Sequence, residues 1–168
     1  SKRETATPTL MGIERVHIRS FENDSSGLSP AWGADTTTRQ DSVIMDLSNA
    51  DSSLNEIGTA STSNIEADVI FSNVGTLANV IMAGKGDLRV EYGTATIAGT
   101  ADAITLTLND MGTKAGTGAI NTTSGFNANG VETVNVVSTG GSNFLSLEDG
   151  GYTTVNASGA QALHIEVE

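Results

Sequence analysis

The stretch Gly130-Val131-Glu132-Thr133-Val134-Asn135-Val136-Val137-Ser138, GVETVNVVS, has an echo near the other end of the chain: GIERVHIRS, Gly12 to Ser20. Both contain a Gly, a β-branched residue, a Glu, one variable residue, a Val, a second variable residue and another β-branched residue. Apolar residues two apart, as at Val134 and Val136 or Val16 and Ile18, mark a strand buried on one face. A phrase of this kind written twice, 118 residues apart, points to a chain that returns to the same structural situation.

Further strands of the same pattern are expected around Leu88-Val90-Tyr92, Ile104-Leu106-Leu108 and Leu163-Ile165-Val167. Others are expected over Val43 to Leu47, Val69 to Phe71 and Ala78 to Met82. Between them lie turn signals: Asn73-Val74-Gly75, Gly84-Lys85-Gly86-Asp87, Asn109-Asp110-Met111-Gly112 and Asp149-Gly150-Gly151. Only Asp51 to Ile57 has the makings of a helical turn. A second echo strengthens the first. At an offset of 75, Gly75, Val80, Gly84, Leu88, Val90 and Glu91 meet Gly150, Val155, Gly159, Leu163, Ile165 and Glu166. Strand, Gly turn, strand, Gly turn is the rhythm of a coil whose sides are short strands, needing roughly 18 to 30 residues per rung.

Composition agrees. The 168 residues include 19 Gly, only 2 Pro and 4% aromatics, with Thr, Val and Ile frequent. Few large side chains are present to fill a thick core. The thin interior of a solenoid needs only a few aliphatics per coil, the backbone ladder supplying the order. The expected fold is therefore all-β: a parallel β-solenoid, β-helix-like or β-roll-like, with irregular rungs. Residues 1–168 read as one solenoid segment. Residues 21–40, with Trp32 and Pro30 and no strand period, read as a projecting loop insertion. The pattern stops inside the strand-like HIEVE, so a piece of a longer chain is expected, and the opening SKRETATPTL is not expected to be a signal peptide.

The net charge is −12, with 8 Lys and Arg against 20 Asp and Glu. That argues against phosphate recognition and so against a nucleic-acid partner. No run of about 18 apolar residues occurs, so no transmembrane helix is expected. Cysteine is absent, which excludes disulfides, thiolate metal sites and a Cys nucleophile. P-loop, dinucleotide and G-x-S-x-G patterns are missing.

The phrases GVETVNV, TTVNASG and ALHIEV resemble the strand repeats of Gram-negative surface-layer proteins that leave the cell by type I secretion and bind calcium, relatives of the RTX group. The likeness is best over Ala101 to Glu168. It implies a secreted, extracellular protein of the cell surface that assembles with copies of itself into a calcium-ordered lattice, with cell-surface polysaccharide as a further candidate partner. One departure is clear: the RTX nonapeptide G-G-x-G-x-D-x-U-x does not occur, the nearest fragment being Glu148-Asp149-Gly150-Gly151. Regular RTX calcium sites are therefore not carried over.

Calcium takes six to eight oxygen ligands, mixing carboxylates with carbonyls, and Asp- and Gly-rich turns supply both. The candidates are Asp24, Asp46, Asp51, Asp87, Asp102, Asp110 and Asp149. Each has an alternative role as a turn residue bonding its own backbone. In a solenoid, turns of successive coils stack, so carboxylates distant in sequence can share an ion. Glu14 and Glu132 hold the same place in the first echo, as do Glu91 and Glu166 in the second. A repeated residue implies a repeated structural duty, here pairing on the outer face. His17 and His164 alternate with apolar neighbours and are expected to face solvent or an adjoining rung. No catalytic residue is assigned and no enzyme is expected. The other readings are an adhesin or carbohydrate-binding solenoid, with Trp32, Tyr92 or Tyr152 exposed near acidic turns, and, third, a β-helix lyase.

Overall fold

The computed structural model describes residues 3–20, 42–60, 68–112, 124–148 and 151–167. Among them there is no helix, and thirteen strands account for the regular structure. These are β1 (Arg3–Ala6), β2 (Arg15–Ile18), β3 (Ser42–Asp46), β4 (Glu56–Thr59), β5 (Asp68–Val74), β6 (Asn79–Ala83), β7 (Leu88–Tyr92), β8 (Ala103–Asn109), β9 (Ser124–Ala128), β10 (Thr133–Thr139), β11 (Asn143–Leu147), β12 (Thr154–Gly159) and β13 (Leu163–Val167). Asp51 to Ile57, the one stretch with the makings of a helical turn, is a turn leading into β4. The expected loop at residues 21–40 lies outside the described residues.

The odd strands form one sheet in the order β1-β3-β5-β7-β9-β11-β13, and the even strands a second, β12-β10-β8-β6-β4-β2. Every pairing is parallel. Each coil thus contributes one strand to each sheet and then climbs to the next coil. This is a two-sided parallel β-solenoid. Coil length varies: Val69 pairs with Leu88, 19 residues on, whereas Arg15 pairs with Glu56, 41 residues on.

The core is the thin layer between the sheets. Val69, Leu88, Phe126 and Leu147 form one column of neighbouring coils, and Phe71, Val90 and Ala128 another. The second sheet faces them with Val80, Leu106 and Val136, and with Ile104 and Val134. All are buried. Burying one such side chain contributes about 1.5–3 kcal/mol.

Both sequence echoes fall on equivalent parts of the coil. Gly12 and Gly130 each adopt a left-handed φ before an even strand, β2 and β10. The carbonyl of Glu14 accepts the amides of Asn55 and Glu56 at 2.9 and 3.1 Å. The carbonyl of Glu132 accepts those of Thr153 and Thr154 at 2.9 and 3.0 Å. Each of the two glutamates thus ties its coil to the next one through the same backbone bifurcation. In the second echo, Gly84 and Gly159 both have left-handed φ, 103° and 116°, and each connects an even strand to an odd one. Such backbone favours glycine. Ser158 lies in β12 and donates its hydroxyl to the Val136 carbonyl at 3.3 Å.

Candidate calcium-binding turns

The acidic residues singled out by sequence are divided between the two edges of the stack. Asp46, Asp51 and Asp102 lie where the chain passes from an odd to an even strand. Asp87 and Asp110 lie where it passes from an even to an odd strand. Asp24 and Asp149 lie outside the described residues.

Asp46 ends β3. Its Oδ1 accepts the Ser48 amide at 3.0 Å and the Asn73 Nδ2 at 2.9 Å, the latter from the next coil. The Asn73 bond, followed by those from Ser48, holds the carboxyl below the usual Asp range. Asp51 has a similar role within the same β3–β4 connection, but reaches back to the preceding coil. It accepts the Gly12 amide at 2.8 Å, the Ser53 amide at 3.0 Å and the Ser53 hydroxyl. The Ser53 hydroxyl, then the two amides, lowers its pKa. Both residues act as the turn caps that short Asp side chains readily form.

Asp110 has φ 60° and is exposed. Register places it beside Gly84 in one neighbouring coil and Gly140 in the other, with φ of 103° and 69°. It therefore fills the aspartate version of a left-handed corner. Its carboxylate rests against Gly141, where a Cβ would collide with Oδ1.

At two positions the carboxylate of one coil accepts the backbone amide of an acidic residue in the adjacent coil. At the first, Asp87 opens β7 beside Asp68 in β5; Asp68 is only 4% exposed. The Asp87 amide donates to Asp68 Oδ1 at 3.2 Å, and Asp87 Oδ1 accepts the Gly125 amide at 2.7 Å. Burial pushes the Asp87 carboxyl up, only partly offset by the Gly125 amide. At the second, Glu132 Oε2 accepts the Asp102 amide at 2.8 Å, while the Asp102 carbonyl accepts the amides of Glu132 and Thr133. Asp102 Oδ2 is buried without a hydrogen-bond partner, and its carboxylate occupies the space beside Gly99 that a Cβ would fill, 2.9 Å from Oδ1. Buried acceptors are almost always satisfied. Among the described residues no three His, Asp or Glu side chains converge as a metal-binding group.

Sequence reasoning missed Asp68 altogether, because it opens the strand β5 and has no glycine beside it. It also missed Asn143, whose Nδ2 donates to Ser138 Oγ and to the carbonyls of Thr139 and Gly141 while Oδ1 accepts the Met111 amide. The outer-face glutamates pair within their own strands: Glu91 with Arg89 and Glu166 with His164, each at 3.1 Å. His17 does reach the adjoining rung, with Nε2 3.0 Å from Glu56 Oε1.

The tyrosines serve the core. Tyr92 is 7% exposed and donates its hydroxyl to the Ala78 carbonyl, and burial raises its pKa. The Tyr152 hydroxyl accepts the Ala128 amide at 2.8 Å; burial pushes its pKa up to about 12. Trp32 lies outside the described residues. An open depression of about 210 Å³ lies between β11 and β13, lined by Ser142, Asn143, Phe144, Ala162, Leu163 and His164. Pockets that hold small ligands are usually larger, about 300–1,000 Å³.

No protein-family model matches this chain, and neither a curated protein nor a solved structure matches it.

Proposed function

We propose that the protein is a structural component of a secreted, calcium-dependent surface layer, assembling with copies of itself on the cell surface. The observation that carries this reading is that acidic side chains accept backbone amides of acidic residues in adjacent coils at the edges of a stacked solenoid, with one buried oxygen of Asp102 left unsatisfied. Asp102 and Glu132 offer the hard oxygen donors that Ca²⁺ takes, supplemented by backbone carbonyls of the turn. Asp68, whose Oδ1 accepts the Asp87 amide, offers the same kind of donor at a second position. A cation at either position offsets repulsion between coils of a chain with net charge −12, and by binding the folded state alone it stabilises the fold through mass action. Catalysis has no comparable support: the buried tyrosine hydroxyls are engaged with backbone, and the histidines sit beside single carboxylates on the outer face.

The experiment is thermal melting with light scattering as calcium is titrated. The expected outcome is a melting temperature that climbs with calcium, followed by assembly into large particles. Asp102→Asn should weaken the calcium response while leaving the metal-free melting temperature close to that of the unaltered chain. Indifference of both melting and scattering to millimolar calcium would remove the basis for this function.

A further inference from the structure

The outer face of the odd-strand sheet carries a further group of oxygens. Leu145 and Leu147 point into the core, so Ser146 between them points outward. It is nevertheless only 4% exposed, and its Oγ is buried with no hydrogen-bond partner among the described residues. Asn127, outward-facing in β9, shows the same feature. Its Nδ2 donates to the Glu148 carbonyl at 2.9 Å, while its Oδ1 is buried with no partner among the described residues. Buried polar atoms are almost always satisfied, and an orphaned one points to an ion or a water.

Both oxygens lie around one glycine. The outward column beside Val69, Leu88 and Phe126 runs Asp68, Asp87, Gly125 and Ser146. Gly125 leaves a gap in that column, and two carboxylates lean into it. Asp87 Oδ1 accepts the Gly125 amide at 2.7 Å. The Glu148 carboxylate lies over the glycine itself, where a Cβ would stand 2.5 Å from Oε1. Asn127 is two residues beyond Gly125 on the same face, and Ser146 is its register partner in β11. The coils of β7, β9 and β11 thus bring two carboxylates, an amide oxygen and a hydroxyl to one place. Arg89, beside Asn127 in the next column, forms an ion pair with Glu91 at 3.1 Å.

Carboxylates mixed with neutral amide and hydroxyl oxygens are a hard donor set, the mixture calcium takes in flexible geometry, with water completing its shell. Magnesium demands a near-ideal octahedron, which strands spaced about 4.8 Å apart do not readily supply. Soft metals favour thiolate, and the chain has no cysteine. Burial has already stripped Asp87 of water and raises its carboxyl pKa, so a neighbouring cation is attracted more strongly than at an exposed acid.

We propose that Asp87, Asn127, Ser146 and Glu148 hold one calcium ion over Gly125, clamping three successive coils together. This deepens the calcium reading above and rests on it, at a position separate from Asp102 and Glu132.

The test is calorimetric titration of the full chain with calcium, and with magnesium for comparison, alongside melting and light scattering. Circular dichroism of each variant confirms its fold. Asp87→Asn and Glu148→Gln are expected to weaken one calcium equivalent by about tenfold or more, since ligand charge sets calcium affinity. Asp102→Asn leaves that equivalent in place. Ser146→Ala is the sharpest variant, because it deletes an oxygen without a partner. The metal-free melting temperature is expected to hold or rise while calcium affinity falls. Isotherms that Glu148→Gln and Asp87→Asn leave unchanged overturn the site, as does magnesium binding as tightly as calcium. A Ser146→Ala chain that loses metal-free stability and keeps its calcium affinity overturns it too, and assigns the hydroxyl to a bridging water. Calcium bound here by a chain that never assembles keeps the site and removes the surface-layer reading. Calcium-driven assembly with isotherms indifferent to these variants does the reverse.

Discussion

Val134 and Val155 are the same residue type, in the same column, one coil apart. Val134 is fully buried and Val155 is 36% exposed. The difference is not chemical. Val134, in β10, has β8 on one side and β12 on the other, whereas among the described residues β12 has a neighbour on one side only. In this architecture a side chain owes its burial chiefly to the coils above and below it, and stability is close to a sum of nearest-neighbour terms. The middle of the stack is therefore well packed, and the last described coil is the least covered.

The largest expected effect contrasts the two regions through one column. Ile104→Ala, in the interior, is expected to cost about 2–5 kcal/mol, since it removes a buried side chain and leaves a cavity between coils that cannot collapse. Val155→Ala, two coils along the same column, is expected to cost under about 1 kcal/mol because water already reaches it. Denaturant unfolding of the two variants measures the gap. Equal losses would show that the end coil is as tightly covered as the middle.

Next in size is a glycine contrast. Gly58 lies within β4, and a Cβ there would run into the Ile81 backbone carbonyl of the next coil. Gly58→Ala is expected to force the two strands apart at a cost of about 1–3 kcal/mol. Gly75, in a turn, has open space where its Cβ would point, and Gly75→Ala is expected to be close to neutral. Melting temperatures of the two variants make the comparison.

The smallest effect is electrostatic. Because burial raises the Asp87 carboxyl in the folded state, the folded chain holds that proton to higher pH than the unfolded chain does. This group's contribution therefore falls as pH rises from the ordinary Asp value through the raised one, and stays unfavourable above it. Asp46 and Asp51, whose values are lowered, act in the opposite sense: their contribution is present above the ordinary value and is lost as pH falls through the lowered one. Asp87→Asn keeps an oxygen for the Gly125 amide and is expected to stabilise the metal-free chain slightly at neutral pH, with the gain shrinking on acidification. Melting in buffers from neutral to acid pH checks the sign. A loss of stability at neutral pH would mean that the carboxylate charge is wanted where it stands.

The same contrast explains what could be read from sequence. β2, β7, β8, β10 and β13 alternate apolar and polar residues because one face meets the core and the other meets water. β11 does not, since all five of its residues are buried, and a strand covered on both faces loses its period. β9 escaped notice because Gly125 interrupts the pattern, and β12 showed only as the phrase TTVNASG, whose small residues carry no period. β4, Glu56–Thr59, shows a single aliphatic residue, Ile57, too little for periodicity. The candidate site was legible only in part. Asp87 and Asp102 stand near glycines as turn acids do, and the echo marked Glu132. Their partners were not legible, because Asp68 with Asp87 and Asp102 with Glu132 meet through the register of coils whose lengths differ.

The central claim is that these coils stack in one parallel register regardless of how many residues separate them in sequence. Spin labels at Arg15, paired in turn with labels at Thr105, Asn135 and Asn156, test it by pulsed dipolar spectroscopy. Those positions lie three, four and five strands from Arg15 in one outer-face column. The predicted backbone separations are about 14, 19 and 24 Å, growing by one strand spacing each time. Distances that fail to rise in equal steps, or that follow sequence separation instead, would contradict the stacked solenoid.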